Sequence, residues 1–469
     1  MNNIKHLIAH IKLFSAYQWL VFIKVLENKT DEELIRIEPN QFKRTILQNS
    51  NWYSKILDLA LRMSDYKNTK VNFNELPTSH DYQKFISLYL GSYDNESKFD
   101  EDLDYDLNLA LAKYSYEQLK NYQPLVNDLG RLITLYESYK SLFQEKFGFT
   151  PKQILCFYMV NNAKHGIYEP FDPETMLNLL RRYDQTINYK KLKKFLDTFS
   201  ISIKKYRGEA KRLGISNKTI KSERAIETYP IINLDNGSYF IPSKNILLNT
   251  LAYKIFSIIN DFQTNSENFK TKFGRRFENY ITDLTKFSHE AYFYKCDKLV
   301  TEPGQTKNEF YLLKNDTSLV IEAKLLHIDE SVILHGNAKE LKNKFNNKIE
   351  EALNQIDSCF KKLHTKNKYA IIVIHTHLPL LQGLIKLFKH KEKYNFLDNV
   401  IIVSMVDYEI MIHNSFEAIF DYFQNNINKI QIALHFDNKN KFLEKKCLDF
   451  YNELGSKVPA SALACQKTS

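Results

Sequence analysis

Two β-prone segments separated by an Asn-Asp pair constrain the fold of this chain more than any other feature of its 469 residues. Residues 309–313 read EFYLL and residues 318–324 read SLVIEAK, with KNDT between them. Two such runs around an Asn-Asp turn predict a β-hairpin. The turn also predicts which residues face each other: Leu313 and Ser318, Leu312 and Leu319, and Glu309 and Glu322.

The predicted pairing brings two carboxylates and a lysine to one face of the hairpin. Directly opposed residues have Cβ atoms about 4.5–5.5 Å apart, so Glu309 and Glu322 repel each other unless a cation lies between them. Because side chains alternate along a strand, Lys324 shares the face of Glu322. Carboxylate oxygens are ligands of Mg²⁺, so this face is interpreted as a metal site. Removing one of the two acids is expected to stabilise the metal-free protein slightly.

An E-x-K triplet alone carries little information in a chain with 65 Lys and Arg and 55 Asp and Glu residues. The alternative interpretation is a solvated pair of opposite charges on an edge strand. The apolar run before Glu322 and the acid opposite it favour the metal site. Asp316 competes with Glu309 for the role of first acid. It lies about 20 Å from Glu322 along an extended strand, at about 3.3 Å per residue, and Glu309 is therefore preferred.

The arrangement resembles the active site of the PD-(D/E)xK nuclease superfamily. In that family an acid on one strand and an E-x-K on the next bind Mg²⁺, and the lysine assists the attacking water. The E-x-K here is Glu322-Ala323-Lys324, and Glu309 stands where the family more often has Asp. A predicted order of helix, three strands, helix and strand also resembles the family's core. The resemblance covers about residues 265–415, about a third of the chain.

The resemblance implies roles for two residues on helices. Glu278 lies in the helix before the sheet, where a family glutamate often reaches the metal; a plain surface charge is the alternative. Gln355 lies in the helix after the E-x-K, where many members carry a glutamine; a helix-surface amide is the alternative. The implied metal is Mg²⁺ or Mn²⁺, with Glu278, Glu309 and Glu322 as ligands. The implied catalytic residues are Glu309, Glu322, Lys324 and Gln355.

Patterns along the chain predict four parts. Residues 1–225 read as mostly α-helical, and residues 226–264 as a β-hairpin with a connecting helix. Residues 265–450 read as an α/β nuclease-like domain, a mixed sheet flanked by helices, and residues 451–469 as a flexible tail. Within the α/β part the predictions include two helices and two final strands: 270–287, 338–364, 370–374 and 400–406.

A basic segment, residues 187–224, carries nearly all of the excess positive charge. It holds 12 Lys and Arg against three acids, and its balance of +9 nearly equals the +10 of the whole chain. Basic clusters with interleaved aromatic residues contact the phosphates of nucleic acids. The predicted nucleic-acid-binding residues are Lys190, Lys191, Lys193, Lys194, Lys204, Lys205, Arg207, Lys211, Arg212 and Lys218.

Residues 209–220 of the basic segment resemble a helix-turn-helix. Ala210, Gly214 and Ile220 have the small, turn-glycine and apolar spacing of that motif, and Ser216 would cap the second helix. Glu223 departs from it, because an apolar residue is usual there. The alternative is a basic helical hairpin with a solvated face, and either form is compatible with contact to nucleic acid.

Other function classes find no support in the sequence. The five cysteines lie at least 18 positions apart, which argues against a zinc knuckle or a disulfide framework and favours a reducing, cytoplasmic compartment. No segment is long and apolar enough to predict a membrane span. The resemblance to the PD-(D/E)xK superfamily implies a metal-dependent endonuclease, with DNA as the expected substrate, and by analogy a role in bacterial restriction or anti-phage defence. The alternative is a non-catalytic DNA-binding protein, and a homo-oligomer remains open.

Overall fold

The computed structural model describes residues 2–41, 44, 47, 50–65, 75–93, 125–163, 170–212, 225–234, 236–261, 266–295, 310–326, 338–375, 393–426 and 440–454. The chain forms two compact units. The first unit comprises Met1–Lys98, Tyr136–Phe256 and Asp449–Ser469. The second unit comprises Phe99–Leu135 and Ser257–Leu448. The larger segment of the second unit begins at Ser257, near the predicted boundary at residue 265. Its other segment, Phe99–Leu135, ends more than a hundred residues earlier in the sequence.

The described α-helices are, in chain order, α1 (Asn2–Ile11), α2 (Ala16–Glu27), α3 (Asp31–Ile37), α4 (Ser50–Met63), α5 (Ser79–Tyr93), α6 (Leu125–Tyr136), α7 (Lys140–Phe147), α8 (Pro151–Ala163), α9 (Pro173–Arg181), α10 (Tyr189–Phe199), α11 (Ile203–Arg212), α12 (Ala225–Thr228), α13 (Lys244–Asn249), α14 (Ile255–Asp261), α15 (Ser266–His289), α16 (Ala338–Lys362), α17 (Met405–Ile412), α18 (Phe416–Asn426) and α19 (Lys441–Leu454). The described strands are β1 (Ser200–Ser202), β2 (Ile231–Asn233), β3 (Tyr239–Phe240), β4 (Phe293–Lys295), β5 (Phe310–Lys314), β6 (Thr317–Lys324), β7 (Asn367–Ile374) and β8 (Val400–Ser404). None of the described helices has both the length and the apolar character needed to cross a bilayer.

The first unit is mainly helical and contains a small sheet. Its β1 and β2 are parallel, and β2 and β3 are antiparallel. The predicted hairpin at β2 and β3 is confirmed: its turn contains Gly237 with a φ of 85°, a left-handed conformation that glycine adopts without steric cost. A buried apolar core joins α1, α2, α4 and α5 with this sheet, and includes Trp19, Leu57 and Phe240.

The second unit is built on a five-stranded sheet in the order β4-β5-β6-β7-β8. Strands β4, β5 and β6 are antiparallel, whereas β6, β7 and β8 are parallel. The predicted register of the central hairpin is confirmed, since Leu312 pairs with Leu319. Asn315, in the turn, has a φ of 53°, which Asn tolerates better than most residues.

Both faces of this sheet are buried along β6, the second half of β7, and β8. Helix α16 covers one face, where Val320, Ile356 and Ile372 belong to a single apolar cluster. Leu312 and Ile321 on the opposite face are also fully buried. Helix α15 contacts β6 on this unit, and α17 contacts β7 and β8. A strand buried on both faces reads as a continuous apolar run, which explains the sequence of β7.

The prediction of a strand over residues 400–406 is wrong at its end. Strand β8 stops at Ser404, and residues 405–412 form α17. The hydroxyl of Ser404 accepts a hydrogen bond from the backbone N–H of Asp407 at 3.1 Å. This N-cap starts a helix where the apolar pattern alone continues a strand.

A buried ion pair connects the early segment of the second unit to its C-terminal half. The guanidinium of Arg131, on α6, donates to both carboxylate oxygens of Glu409, on α17, at 2.6 Å each. Asp128 accepts from the same guanidinium at 2.9 Å, and the hydroxyl of Tyr280 donates to Glu409 at 2.6 Å. Burial raises the pKa of Glu409, whereas Arg131 and Tyr280 act to lower it.

Helix α6 also lies very close to α19. A Cβ atom at position 130 would lie 2.3 Å from the carbonyl oxygen of Leu443, so Gly130 permits a contact that no other residue allows. Asn440, at the start of α19, donates to the carbonyl of Glu409. The segment around Arg131 is therefore part of the packed core of the second unit.

We expect Arg131→Met to lower the free energy of unfolding of the second unit by about 3–5 kcal/mol, because it leaves Glu409 buried without its cation. Unfolding in urea, followed by circular dichroism, measures the change. Lys361→Met is the control: it removes the cation of an ion pair with Asp357 whose lysine side chain is 72% exposed. That control should cost less than about 1 kcal/mol. Equal losses in the two variants would show that the Arg131 pair does not stabilise the unit.

Candidate active site beneath helix α16

Two charged residues interrupt the buried face of β6 near its C-terminal end. Glu322 and Lys324 are only 6% and 7% exposed, although both residue types are almost never buried without a partner. Their side chains point towards α16. On that helix Glu351 and Gln355 are one turn apart and therefore lie on the same face. We refer to Glu322, Lys324, Glu351 and Gln355 as the Lys324 cluster.

The ammonium of Lys324 lies at the centre of this cluster. Its Nζ is 2.9 Å from Oε1 of Glu322 and 3.1 Å from Oε1 of Glu351, and it also donates to the side-chain oxygen of Gln355. An ammonium has three N–H donors, so these three oxygens satisfy it completely. The side chain of Glu322 is 8% exposed and that of Glu351 48%, so the cluster opens to solvent on the α16 side.

The environment of Lys324 keeps it charged. Burial acts to lower the pKa of Lys324, but the charge of Glu322 and the hydrogen bonds to Glu322 and Glu351 outweigh burial and raise it above its usual value. Burial acts to raise the pKa of Glu351, and Lys348 and Lys324 lower it below its usual value. At neutral pH the cluster therefore contains an ammonium rather than a neutral amine.

Three of the predicted site residues come together in the structure: Glu322, Lys324 and Gln355. The prediction that Lys324 shares the face of Glu322 is confirmed by their ion pair. Glu309 lies outside the described residues, and its pairing with Glu322 stays a prediction. Asp316 lies at the turn, at the other end of β6, where its carboxylate accepts from the backbone N–H of Lys366 at 2.9 Å.

Glu278 lies half-buried on α15, which contacts β6. Nearby, Phe273 and Phe277 of the same helix pack edge-on against the ring of His375, with centroid distances of 5.2 and 5.4 Å. His375 follows β7, and its backbone N–H donates to the carbonyl of Lys324 at 3.4 Å. Helix α15 thus reaches the end of the sheet that carries the cluster. Glu278 is not among the partners of the Lys324 ammonium, and its role as a metal ligand stays a prediction.

Glu351 is the member of the cluster that the sequence reasoning missed. The available signal was its position one helical turn before Gln355, which places both on one face of α16. What the sequence does not show is that this face lies over Lys324, 27 residues earlier in the chain. Glu351 also pairs with Lys348 at 2.9 Å, so it links the buried ammonium to the surface of α16.

The oxygen atoms of the cluster fit a hard divalent cation. Mg²⁺ takes carboxylate and amide oxygens, and two carboxylates and one amide surround the Lys324 ammonium. Within the described part of the chain, no three His, Cys, Asp or Glu side chains converge in a way that would hold a metal ion. Of the three carboxylates predicted from the sequence, Glu322 belongs to the cluster, Glu278 lies on α15, and Glu309 lies outside that part.

Several lysines of the basic segment, and one arginine, form hydrogen bonds or ion pairs within the protein. Lys191 donates to the carbonyl of Thr186 at 3.0 Å, Lys193 pairs with Asp197, and Lys194 donates to the carbonyl of Glu145. The guanidinium of Arg207 donates to the carbonyl of Leu61 at 2.8 Å and also to that of Ser64. These residues offer less to a nucleic acid than the sequence indicates.

The exposed cations of the described basic segment are Lys190, Lys194, Lys204 and Lys205, on α10 and α11, and of these Lys194 donates to the carbonyl of Glu145. Helix α11 ends at Arg212. The side chains of Lys211 and Arg212 are outside the description, as are residues 213–224 with Lys218. The second helix of the predicted helix-turn-helix falls in that range, so the motif stays a prediction.

Comparisons with protein-family models, with curated proteins and with solved structures give no match for this chain. The geometry of the Lys324 cluster and the topology of its sheet therefore carry the functional interpretation.

The sequence predicts that removing Glu309 or Glu322 stabilises the metal-free protein. For Glu322, its ion pair with Lys324 leads to the opposite expectation. Glu322→Gln is expected to lower the free energy of unfolding by about 1–3 kcal/mol, because it removes the buried charged partner of Lys324. Glu351→Gln, on the same ammonium but half-exposed, should cost less than about 1 kcal/mol. Urea unfolding in the presence of EDTA measures both. A Glu322→Gln variant as stable as the unmodified protein would contradict this account.

Proposed function

We propose that the second unit is a metal-dependent nuclease domain that hydrolyses phosphodiester bonds, with DNA as the expected substrate. The observation that carries the proposal is the Lys324 cluster: a buried, charged lysine two residues after a buried glutamate, at the end of a strand in the middle of a mixed sheet. Charged groups of this kind are costly to bury, and perturbed ionisable groups concentrate at functional sites.

The topology of the second unit supports the proposal. Its elements follow the order α15, β4, β5, β6, α16, β7, with the first three strands antiparallel and β7 parallel to β6. This is the order of helix, three strands, helix and strand for which the sequence resembles the PD-(D/E)xK superfamily. The E-x-K lies on β6, and Gln355 lies on the helix that follows.

Mg²⁺ or Mn²⁺ would be held by Glu322 and the predicted acids Glu309 and Glu278, with the amide oxygen of Gln355 beside them. When bound, such an ion neutralises charge on the phosphate and lowers the pKa of a coordinated water. The residues of the chain supply the rest. Lys324 would orient the water or hold the developing charge of the phosphate oxygens.

The first unit would contribute to DNA binding through its exposed lysines. Lys190, Lys204 and Lys205 remain the described candidates, because Lys191, Lys193 and Lys194 are engaged within the protein. A role in bacterial restriction or anti-phage defence, and a cytoplasmic location, rest on the family resemblance and the cysteine pattern alone. A non-catalytic DNA-binding protein is the alternative outcome of the assay below.

With Mg²⁺, the protein is expected to nick or linearise supercoiled plasmid, and EDTA should prevent this. Glu322→Gln and Lys324→Met should each reduce the rate by at least about 100-fold, the usual cost of removing one group that stabilises a transition state. Lys361→Met, near the C-terminal end of the same α16, is the control and should cleave normally. The same assay with RNA identifies the substrate. A protein that shifts DNA on a gel without cutting it would establish the binding alternative.

The salt dependence of DNA binding separates Lys190, Lys204 and Lys205 from the lysines that bond within the protein. Each phosphate contact that is lost lowers the slope of log K against log salt by about 0.9 on duplex DNA. Replacing Lys190, Lys204 and Lys205 together with Gln should reduce the slope by about 0.9–2.7.

The matched triple replacement with Gln at Lys191, Lys193 and Lys194 removes the same charge from the engaged lysines, and should change the slope less. Fluorescence anisotropy of a labelled duplex at several salt concentrations measures both. Equal slopes in the two triple variants would show that bonds within the protein do not decide which lysines contact the DNA.

A further inference from the structure

The ammonium of Lys324 occupies the point on which the oxygens of its cluster converge. It lies 2.9 Å from a carboxylate oxygen of Glu322 and 3.1 Å from one of Glu351, and Gln355 directs its amide oxygen to the same nitrogen. We propose that Lys324 holds the place of the divalent cation in the metal-free protein, that Glu351 is a metal ligand beside Glu322, and that Lys324 must leave this place when the metal binds. The inference rests on the proposed function only for the presence of a divalent ion.

Charge and distance make the two occupants mutually exclusive. The ammonium is bounded by oxygens at hydrogen-bond distance, whereas Mg²⁺ binds its oxygen ligands at about 2.0–2.1 Å. Two cations at a shared centre repel, and this repulsion is only weakly screened where solvent is largely excluded. The same oxygens can therefore serve the lysine or the metal, but not both at once.

The cluster contains one anchored and one movable carboxylate, as such an exchange requires. Glu322 is held on β6, where it pairs with Ile372 of β7 and directly follows Ile321, which pairs with Phe310 of β5. Glu351 is half-exposed on α16 and also contacts Lys348 at the surface. Because Glu351 is half-exposed, its side chain can move, and its carboxylate can approach an ion more closely than the 3.1 Å that separates it from the ammonium. Lys324 sits on a flexible four-carbon stem and can swing away from the convergence point without moving β6.

Removal of Lys324 should therefore change two properties in opposite directions. Metal affinity should rise, because an internal competitor is gone. Cleavage should fall, because the displaced ammonium is the group that assists the water or the phosphate. A lysine with a purely structural role would lower both, and a lysine that acts only on the substrate would leave metal affinity unchanged.

The test is a calorimetric titration of Mn²⁺ into the full chain and its variants, without nucleic acid. Lys324→Met should bind Mn²⁺ about tenfold more tightly than the unmodified protein, equivalent to about 1.4 kcal/mol. Glu351→Gln should bind at least about tenfold more weakly, a loss that even outer-shell partners of a metal commonly cause. Lys348→Met is the matched control, because Lys348 also lies 2.9 Å from Glu351 but outside the convergence point.

A second measurement does not depend on a variant that folds. Acylation of lysine amines, read by mass spectrometry, should leave Lys324 unmodified in the metal-free protein, since its side chain is 9% exposed. Saturating Mn²⁺ should increase the labelling of Lys324 severalfold and leave that of Lys361 unchanged. Circular dichroism confirms that each variant is folded, and Lys324→Gln replaces the methionine variant if that one is not.

Three results would overturn the inference. They are equal Mn²⁺ affinities in Lys324→Met and Lys348→Met, undiminished binding in Glu351→Gln, and Mn²⁺ binding without any increase in Lys324 labelling. The outcome is separable from the proposed function. A protein that shows the Mn²⁺ series but cuts no nucleic acid retains this metal site and loses the nuclease assignment. A protein that cuts DNA with no rise in affinity in Lys324→Met loses only the exchange.

Discussion

Burial of an ammonium between a sheet and a helix constrains the second unit more than any single apolar contact does. Lys324 lies on a strand whose two faces are largely covered, and it is only 7% exposed, so little water solvates it. An ammonium in such a place requires oxygens from its neighbours. Glu322 supplies one from the same strand, and α16 supplies two from successive turns. The position of α16 over the sheet must therefore allow both the hydrogen bonds to Lys324 and the packing against the apolar cluster beneath the helix.

Burying these charged groups costs free energy that apolar packing alone would not require. Buried ionic groups are often no more stabilising than apolar residues of the same volume, and replacing them can raise stability. The rest of that sheet face consists of residues such as Val320, Ile372 and Val400, which fill space without polar demands. A polar cluster inside an otherwise apolar interface is therefore a reason to look for chemistry there. The half-exposure of Glu351 gives that chemistry a route to solvent.

Local features of the fold could be predicted from the sequence, because neighbouring residues determine them. The Asn-Asp turn sets the register of β5 against β6, and a Gly turn sets that of β2 against β3. The strands and long helices of the second unit also follow from their patterns of apolar residues. The end of β8 was misplaced because the hydroxyl of Ser404 caps a helix, a local competition that an apolar run conceals. The roles of Glu309 and Glu278 as metal ligands stay predictions from the sequence.

Features that depend on distant partners could not be predicted. Gln355 was identified only through a family resemblance, and Glu351 beside it was overlooked, since both roles depend on how α16 lies over β6. The lysines of α10 looked uniformly available, yet Lys194 bonds to a carbonyl 49 residues earlier. Arg207 reaches a carbonyl 146 residues away. Nothing near either residue in the sequence indicates these bonds.

The separation of Arg131 from Glu409 has a consequence for the order of events during synthesis. The two residues are 278 positions apart, and Tyr136–Phe256 of the first unit lies between them in the sequence. Domains generally fold as units while the chain emerges from the ribosome, N-terminal parts first. Here α6 is translated early, but its arginine must wait for Glu409 until α17 is complete. The first unit can form its own apolar core in the meantime. The second unit gains the buried pair of Arg131 and Glu409 only near the end of translation.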